Sequence, residues 1–147
     1  MREIQRSALV PHTPAQMFAL VDDFGRYPEF LPWVTAAEIL EKTEFERVGR
    51  LQFARSGFND TITTRNVVAP PSRLEMKLIE GPFRVLEGVW TFEPLGESAA
   101  PRGTRIGLVL RFEFKNRVMD VLLAGKFAAS ADTLVDAFAK RARAQYG

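Results

Sequence analysis

From Thr104 to Phe114 the chain alternates strictly, with Ile106, Leu108, Leu110, Phe112 and Phe114 on one face and Arg105, Arg111 and Glu113 on the other. A period of two with one apolar face is the signature of a half-buried antiparallel strand. Leu74, Met76 and Leu78 repeat it within Arg73 to Ile79, and Leu86, Gly88, Trp90 and Phe92 within Arg84 to Glu93. Glu3 to Val10, Thr35 to Glu41, Glu46 to Arg55 and Asn59 to Val68 also read as strands. The separators are turn chemistry: Ser56-Gly57, Pro70-Pro71, Gly81-Pro82 and a loop from Gly96 to Gly103.

Two segments carry helical periodicity instead. Thr13 followed by Pro14 is an N-cap with proline at the first helical position, and the helix from Pro14 to about Asp22 turns Met17, Phe18, Leu20 and Val21 inward. Near the C-terminus, Val118 to Tyr146 reads as one helix, with Phe127, Ala131, Leu134, Val135, Phe138 and Ala142 on a single stripe. No second long helix exists to receive that stripe, so it must lie on the apolar sheet face. The expected fold class is α+β: a curved antiparallel sheet of about seven strands wrapped around a long C-terminal helix, with one or two short helices after the first strand. Residues 1–147 are expected to form a single domain of this kind.

Tyr27-Pro-Glu-Phe-Leu-Pro-Trp33 follows the first helix and packs four large apolar side chains and two prolines into seven residues. Proline fixes φ and pushes its predecessor toward extended geometry, so this segment is stiff. Rigid aromatics outside regular structure either plug a core or line a pocket mouth. The polar run Thr61 to Asn66 poses a related question, because either parity puts hydroxyls inward: Thr61, Thr63 and Arg65, or Ile62, Thr64 and Asn66. Alternation leaves the choice open. Inward donors would need partners, which a ligand bearing carbonyl or ether oxygens would supply. Gly88 and Gly125, inside a strand and a helix, read as sites of close approach or room for a ligand.

Composition narrows the chemistry. The absence of cysteine excludes disulfides and thiolate chemistry, and a single histidine excludes multi-histidine metal sites. No phosphate-binding glycine loop is present. Asp22-Asp23, Glu38, Glu41, Glu44 and Glu46 read as solvated surface acids, and His12 as a surface residue at the helix start. Lys140, Arg141, Arg143, Arg117 and Lys126 read as the solvated face of the last helix. The formal charge of +2 gives no reason to expect DNA binding. The N-terminus lacks an apolar signal core and no apolar run approaches the roughly 20 residues of a membrane span, so a cytoplasmic location is expected.

The order of elements resembles the START-like helix-grip superfamily, also called polyketide cyclase/dehydrase-like, and within it the coenzyme-Q-binding and ribosome-association-toxin family. The resemblance covers the whole chain. It rests on Ser7-Ala8-Leu9-Val10-Pro11, the Tyr27 to Trp33 segment, Thr63-Thr64-Arg65-Asn66, Gly81-Pro82-Phe83, Trp90 to Leu95, Phe112-Glu113-Phe114 and Phe138 to Ala142. It implies a hydrophobic tunnel between helix and sheet. One branch of the family binds coenzyme Q in support of respiration; the other is a toxin of a toxin–antitoxin system that binds the large ribosomal subunit and blocks subunit joining.

The leading expectation is a non-enzymatic binder of ubiquinone or a similar prenylated quinone, requiring no cofactor. Its ligand-binding residues would be Phe30, Trp33, Phe53, Thr63, Arg65, Phe83, Trp90, Phe112 and Phe127. A cavity of about 300–1,000 Å³ would hold the ring and first isoprenes, with transient membrane contact at the mouth, peripheral to the inner membrane. The alternatives are the ribosome-binding toxin and a cyclase- or aromatase-like enzyme with an acid or base in the tunnel.

Overall fold

The computed structural model describes residues 1–55, 57–97 and 100–147. Strand β1 (Arg2–Val10) leads into α1 (Pro14–Asp22), a 3-10 helix (Phe24–Glu29), and strands β2 (Val34–Lys42), β3 (Glu46–Arg55), β4 (Phe58–Ala69), β5 (Arg73–Glu80), β6 (Phe83–Glu97) and β7 (Ala100–Phe114). Helices α2 (Arg117–Asp132) and α3 (Leu134–Tyr146) close the chain. The strands form one antiparallel sheet in the order β1-β7-β6-β5-β4-β3-β2. This is the expected helix grip, and the alternating apolar positions of β7 are all buried.

Thr13 starts α1 as the sequence indicates. Its hydroxyl accepts from the Gln16 N–H at 3.2 Å while the Gln16 side chain accepts from the Thr13 N–H at 2.9 Å, a reciprocal capping box with Pro14 in the first turn.

Four local readings are corrected. The C-terminal helix is interrupted at Thr133, whose hydroxyl donates to the Ser130 carbonyl at 2.7 Å and whose N–H turns to Ala131 and Ser130. A side-chain hydroxyl that competes for backbone carbonyls bends or breaks a helix. Because Thr133 itself stays in the right-handed helical region, the apolar stripe keeps its phase across the break and conceals it. The β6–β7 hairpin also runs further than expected, pairing to Glu97 and Ala100 through an irregularity at Leu95/Gly96, so glycine and proline there decorate a ladder and not a long loop. Ser56, Ser98 and Ala99 lie outside the described residues.

His12 is buried, not superficial: its carbonyl accepts from the Thr104 hydroxyl at 2.7 Å and its ring lies 5.9 Å from that of Tyr146. Neither ring nitrogen has a hydrogen-bond partner among the described residues. Asp22 is no free surface acid either. Arg47 clasps it through two parallel bonds of 3.1 Å and also donates to the Thr43 carbonyl at 2.6 Å. With side-chain exposures of only 9% and 15%, this pair ties the end of α1 to the start of β3. Arg47→Met should therefore cost about 3 kcal/mol in urea unfolding, since it strands a largely buried carboxylate; a cost below about 1 kcal/mol, the usual worth of a surface pair, would contradict this role.

Candidate functional site

The space between sheet and helix is a cavity of ≈ 90 Å³. The sheet supplies its floor, including Leu51, Phe53, Ile62, Asn66, Trp90 and Leu108; Phe127, Ala131, Leu134 and Phe138 form the roof, and Tyr27, Leu31 and Trp33 the front. Its size is set by aromatic packing. Phe127 sits 4.6 Å from Phe112 and 5.0 Å from Phe83, while Phe138 meets Trp90 and Phe30 at 5.2 Å and Tyr27 at 5.4 Å, mostly edge to face. The space is smaller than an engineered apolar cavity of about 150 Å³ that admits benzene. It lies below the roughly 300–1,000 Å³ of an ordinary ligand pocket.

Four of the nine expected site residues line the cavity: Trp33, Phe53, Trp90 and Phe127. Trp33, Phe53 and Phe127 also border a second hollow of ≈ 30 Å³ with Arg55, Phe58 and Lys126, so these three rings form a partition between the two spaces. Phe83 and Phe112 stand behind the wall as fully buried partners of Phe127. Phe30 lies outside, against Tyr27 and Phe138, with the Arg141 guanidinium 5.0 Å above its ring. Arg141 in turn donates to Glu29 at 2.6 Å, so it straps α3 to the 3-10 segment and does not belong to the solvated basic face.

The structure resolves the parity of β4 against Thr63 and Arg65. Ile62, Thr64, Asn66 and Val68 face inward; Arg65 is exposed and paired with Glu46 at 3.1 Å, and Thr63 is buried without reaching the cavity. Sequence alternation fails here for two reasons. Val67 and Val68 are both apolar, and the ladder to β5 shifts between Thr63 and Thr64. Asn66 is the one carboxamide on the lining among the described residues and accepts from the Thr64 hydroxyl at 3.3 Å. Gly88 also borders the cavity, where an added Cβ would stand 3.2 Å from Leu110 and 3.4 Å from Met76, so it marks close packing; Gly125 faces open space.

Electrostatically the cavity is bland. Among the described residues its lining includes no Asp, Glu or His, and no group of three or more His, Cys, Asp or Glu is placed to hold a metal. Tyr27 is the one lining residue with a perturbed acidity. As a residue it is half-buried, but its hydroxyl points inward and donates to the Val21 carbonyl at 2.5 Å. Burial first, then the charges of Asp22 and Asp23, push the phenol far above its ordinary value.

Comparison with known proteins agrees with this architecture. The family described as polyketide cyclase / dehydrase and lipid transport matches residues 10–139. The ribosome association toxin RatA of Pseudomonas aeruginosa is 43% identical over 144 residues, covering 98% of this chain and 97% of the relative. The mitochondrial coenzyme Q-binding protein COQ10 of Drosophila melanogaster is 23% identical over 143 residues, covering 97% of this chain and 59% of the relative. Among solved structures, the Zhui aromatase/cyclase from Streptomyces sp. R1128 superposes with a TM-score of 0.82 at 17% identity, covering 97% of this chain and 93% of that one, a likeness of fold alone.

The Tyr27 environment has a measurable consequence. A phenol whose folded pKa lies above its unfolded value of about 10 contributes stability that is intact below that pH and lost as pH rises beyond it. Alkaline difference spectra of the folded protein and of Tyr27→Phe should therefore coincide, and the stability of the parent should fall more steeply above about pH 10 than that of the variant. Phenolate from Tyr27 appearing in the folded protein near pH 10 would contradict the buried hydroxyl.

Proposed function

The chain belongs to the polyketide cyclase / dehydrase and lipid transport family, and within it we propose that this protein is a ribosome-binding inhibitor of translation that hinders association of the subunits. The observation that carries this reading is the near full-length identity of 43% to a ribosome association toxin. A cavity of ≈ 90 Å³ supports it from the other side, since little of a prenylated quinone fits such a space. The absence of carboxylates and histidine from the lining favours a binding role over the cyclase chemistry of structural neighbours. Exposed Lys140 and Arg143 on α3 form no ion pair with the described residues and are suited to phosphate contacts.

A second reading, an apolar-ligand carrier for ubiquinone or a similar lipid, is favoured by the hydrocarbon lining and by the distant coenzyme Q-binding relative. In this reading Trp33, Phe53 and Phe127 would have to move aside to admit a ring, with Asn66 as the polar handle for its oxygens.

Overproduction followed by sucrose-gradient profiling separates the two. The ribosome reading requires a fall in monosomes with a rise in free subunits, and co-sedimentation with the large subunit that weakens steeply with salt. Unchanged monosomes at high expression would overturn it.

A further inference from the structure

Helix α2 is apolar on two faces, and only one of them has a partner. Met119, Leu123 and Phe127 pack toward the sheet. On the opposite side Val118, Val121 and Leu122 are 65%, 77% and 65% exposed, the greatest exposures of any large hydrophobic residues on the described helices. At about 100° per residue these three side chains and Gly125 fall on one stripe, and Arg117 and Lys126 fall on either edge of it. A helix apolar all round is ordinarily buried; this one is bare along its outer side.

The charges around the stripe share one sign. Arg117, Lys126, Lys115 just before the helix, and Arg55 at the rim of the small outer hollow are all exposed, and none forms an ion pair among the described residues. Elsewhere most exposed arginines on the sheet are matched by glutamates, as in Arg50 with Glu38, Arg65 with Glu46 and Arg111 with Glu87. Of the two acids on α2, Asp120 is turned back to accept the Phe114 N–H at 3.1 Å, and Asp132, at the far end of the helix, is paired with Arg6 at 3.0 Å.

We propose that the first three turns of α2 form a docking surface for an anionic lipid bilayer. Aliphatic side chains gain nothing from a phosphate backbone but gain hydrocarbon in a membrane, and unpaired cations on both edges of the stripe match anionic headgroups at the same depth. Gly125 leaves the C-terminal end of the stripe flat: nothing lies within 4 Å of the position a Cβ would take. Three side chains and a few cations make a reversible contact and not an anchor, and no helix among the described residues is long and apolar enough to cross a membrane. This inference stands independently of the ribosome reading.

Flotation tests it with intact protein and vesicles of phosphatidylcholine alone or mixed with phosphatidylglycerol. The protein should float with the mixed vesicles, less so at high salt, and stay behind with phosphatidylcholine alone. The double variant Val121→Glu/Leu122→Glu, whose exposed positions leave the thermal melt unchanged, should bind the mixed vesicles at least about tenfold more weakly. Failure of the parent to float, or equal flotation of the double variant, would overturn the proposal. So would a parent that fails to float while the double variant loses ribosome co-sedimentation, which would make the stripe a ribosomal contact. Flotation that follows this pattern in a protein inert toward ribosomes would uphold the bilayer surface and refute only the ribosome reading.

Discussion

The structure depends on two phenylalanines that bring the C-terminal helices onto the sheet. Phe127 in α2 and Phe138 in α3 are eleven residues apart, about three helical turns, and so share a face. Phe138 is wholly buried among Tyr27, Phe30 and Trp90; Phe127 is set among Phe53, Phe83, Phe112 and Phe114. A single helix is too narrow to fill the concave face of a seven-stranded sheet, and these rings, with the Tyr27 to Trp33 segment, take up most of the remainder. The residual cavity of ≈ 90 Å³ is what the packing leaves over.

Polar contacts fix how the layers meet around that packing. The Arg47–Asp22 clasp holds α1 to β3, and Arg141 bridges Glu29 and the Phe30 ring, so the aromatic segment is tied from both sides. The break at Thr133 lets α2 and α3 follow the sheet as two rods instead of one. The two arginine clasps join elements far apart in sequence, and they flank the segment whose Tyr27, Leu31 and Trp33 line the cavity.

That distance explains what was legible in the chain. The alternation of β7 and the capping signal at Thr13-Pro14 were plain, because each is a local pattern, and the stripe from Phe127 to Ala142 correctly placed a helix on the sheet. Trp33, Phe53, Trp90 and Phe127 were recognisable as lining residues from their bulk and position. What failed was decided by pairing. The facing of Thr63 and Arg65 turned on a ladder irregularity, the burial of His12 on its meeting Thr104 and Tyr146, and the role of Asp22 on an arginine at a distant position. Cavity volume was illegible in principle, since it is the small difference between the span of the sheet and the bulk of the rings.

If the interior is filled, recognition belongs to the surface. Trp33 and Trp90 both line the cavity and report on its occupancy, so titrating the protein with a short-tailed ubiquinone while following tryptophan emission is the most direct test. A filled interior predicts only linear, collisional quenching in the parent, with saturable quenching appearing once Phe127→Ala removes part of the partition. Saturable one-to-one quenching of the unmodified protein would contradict it.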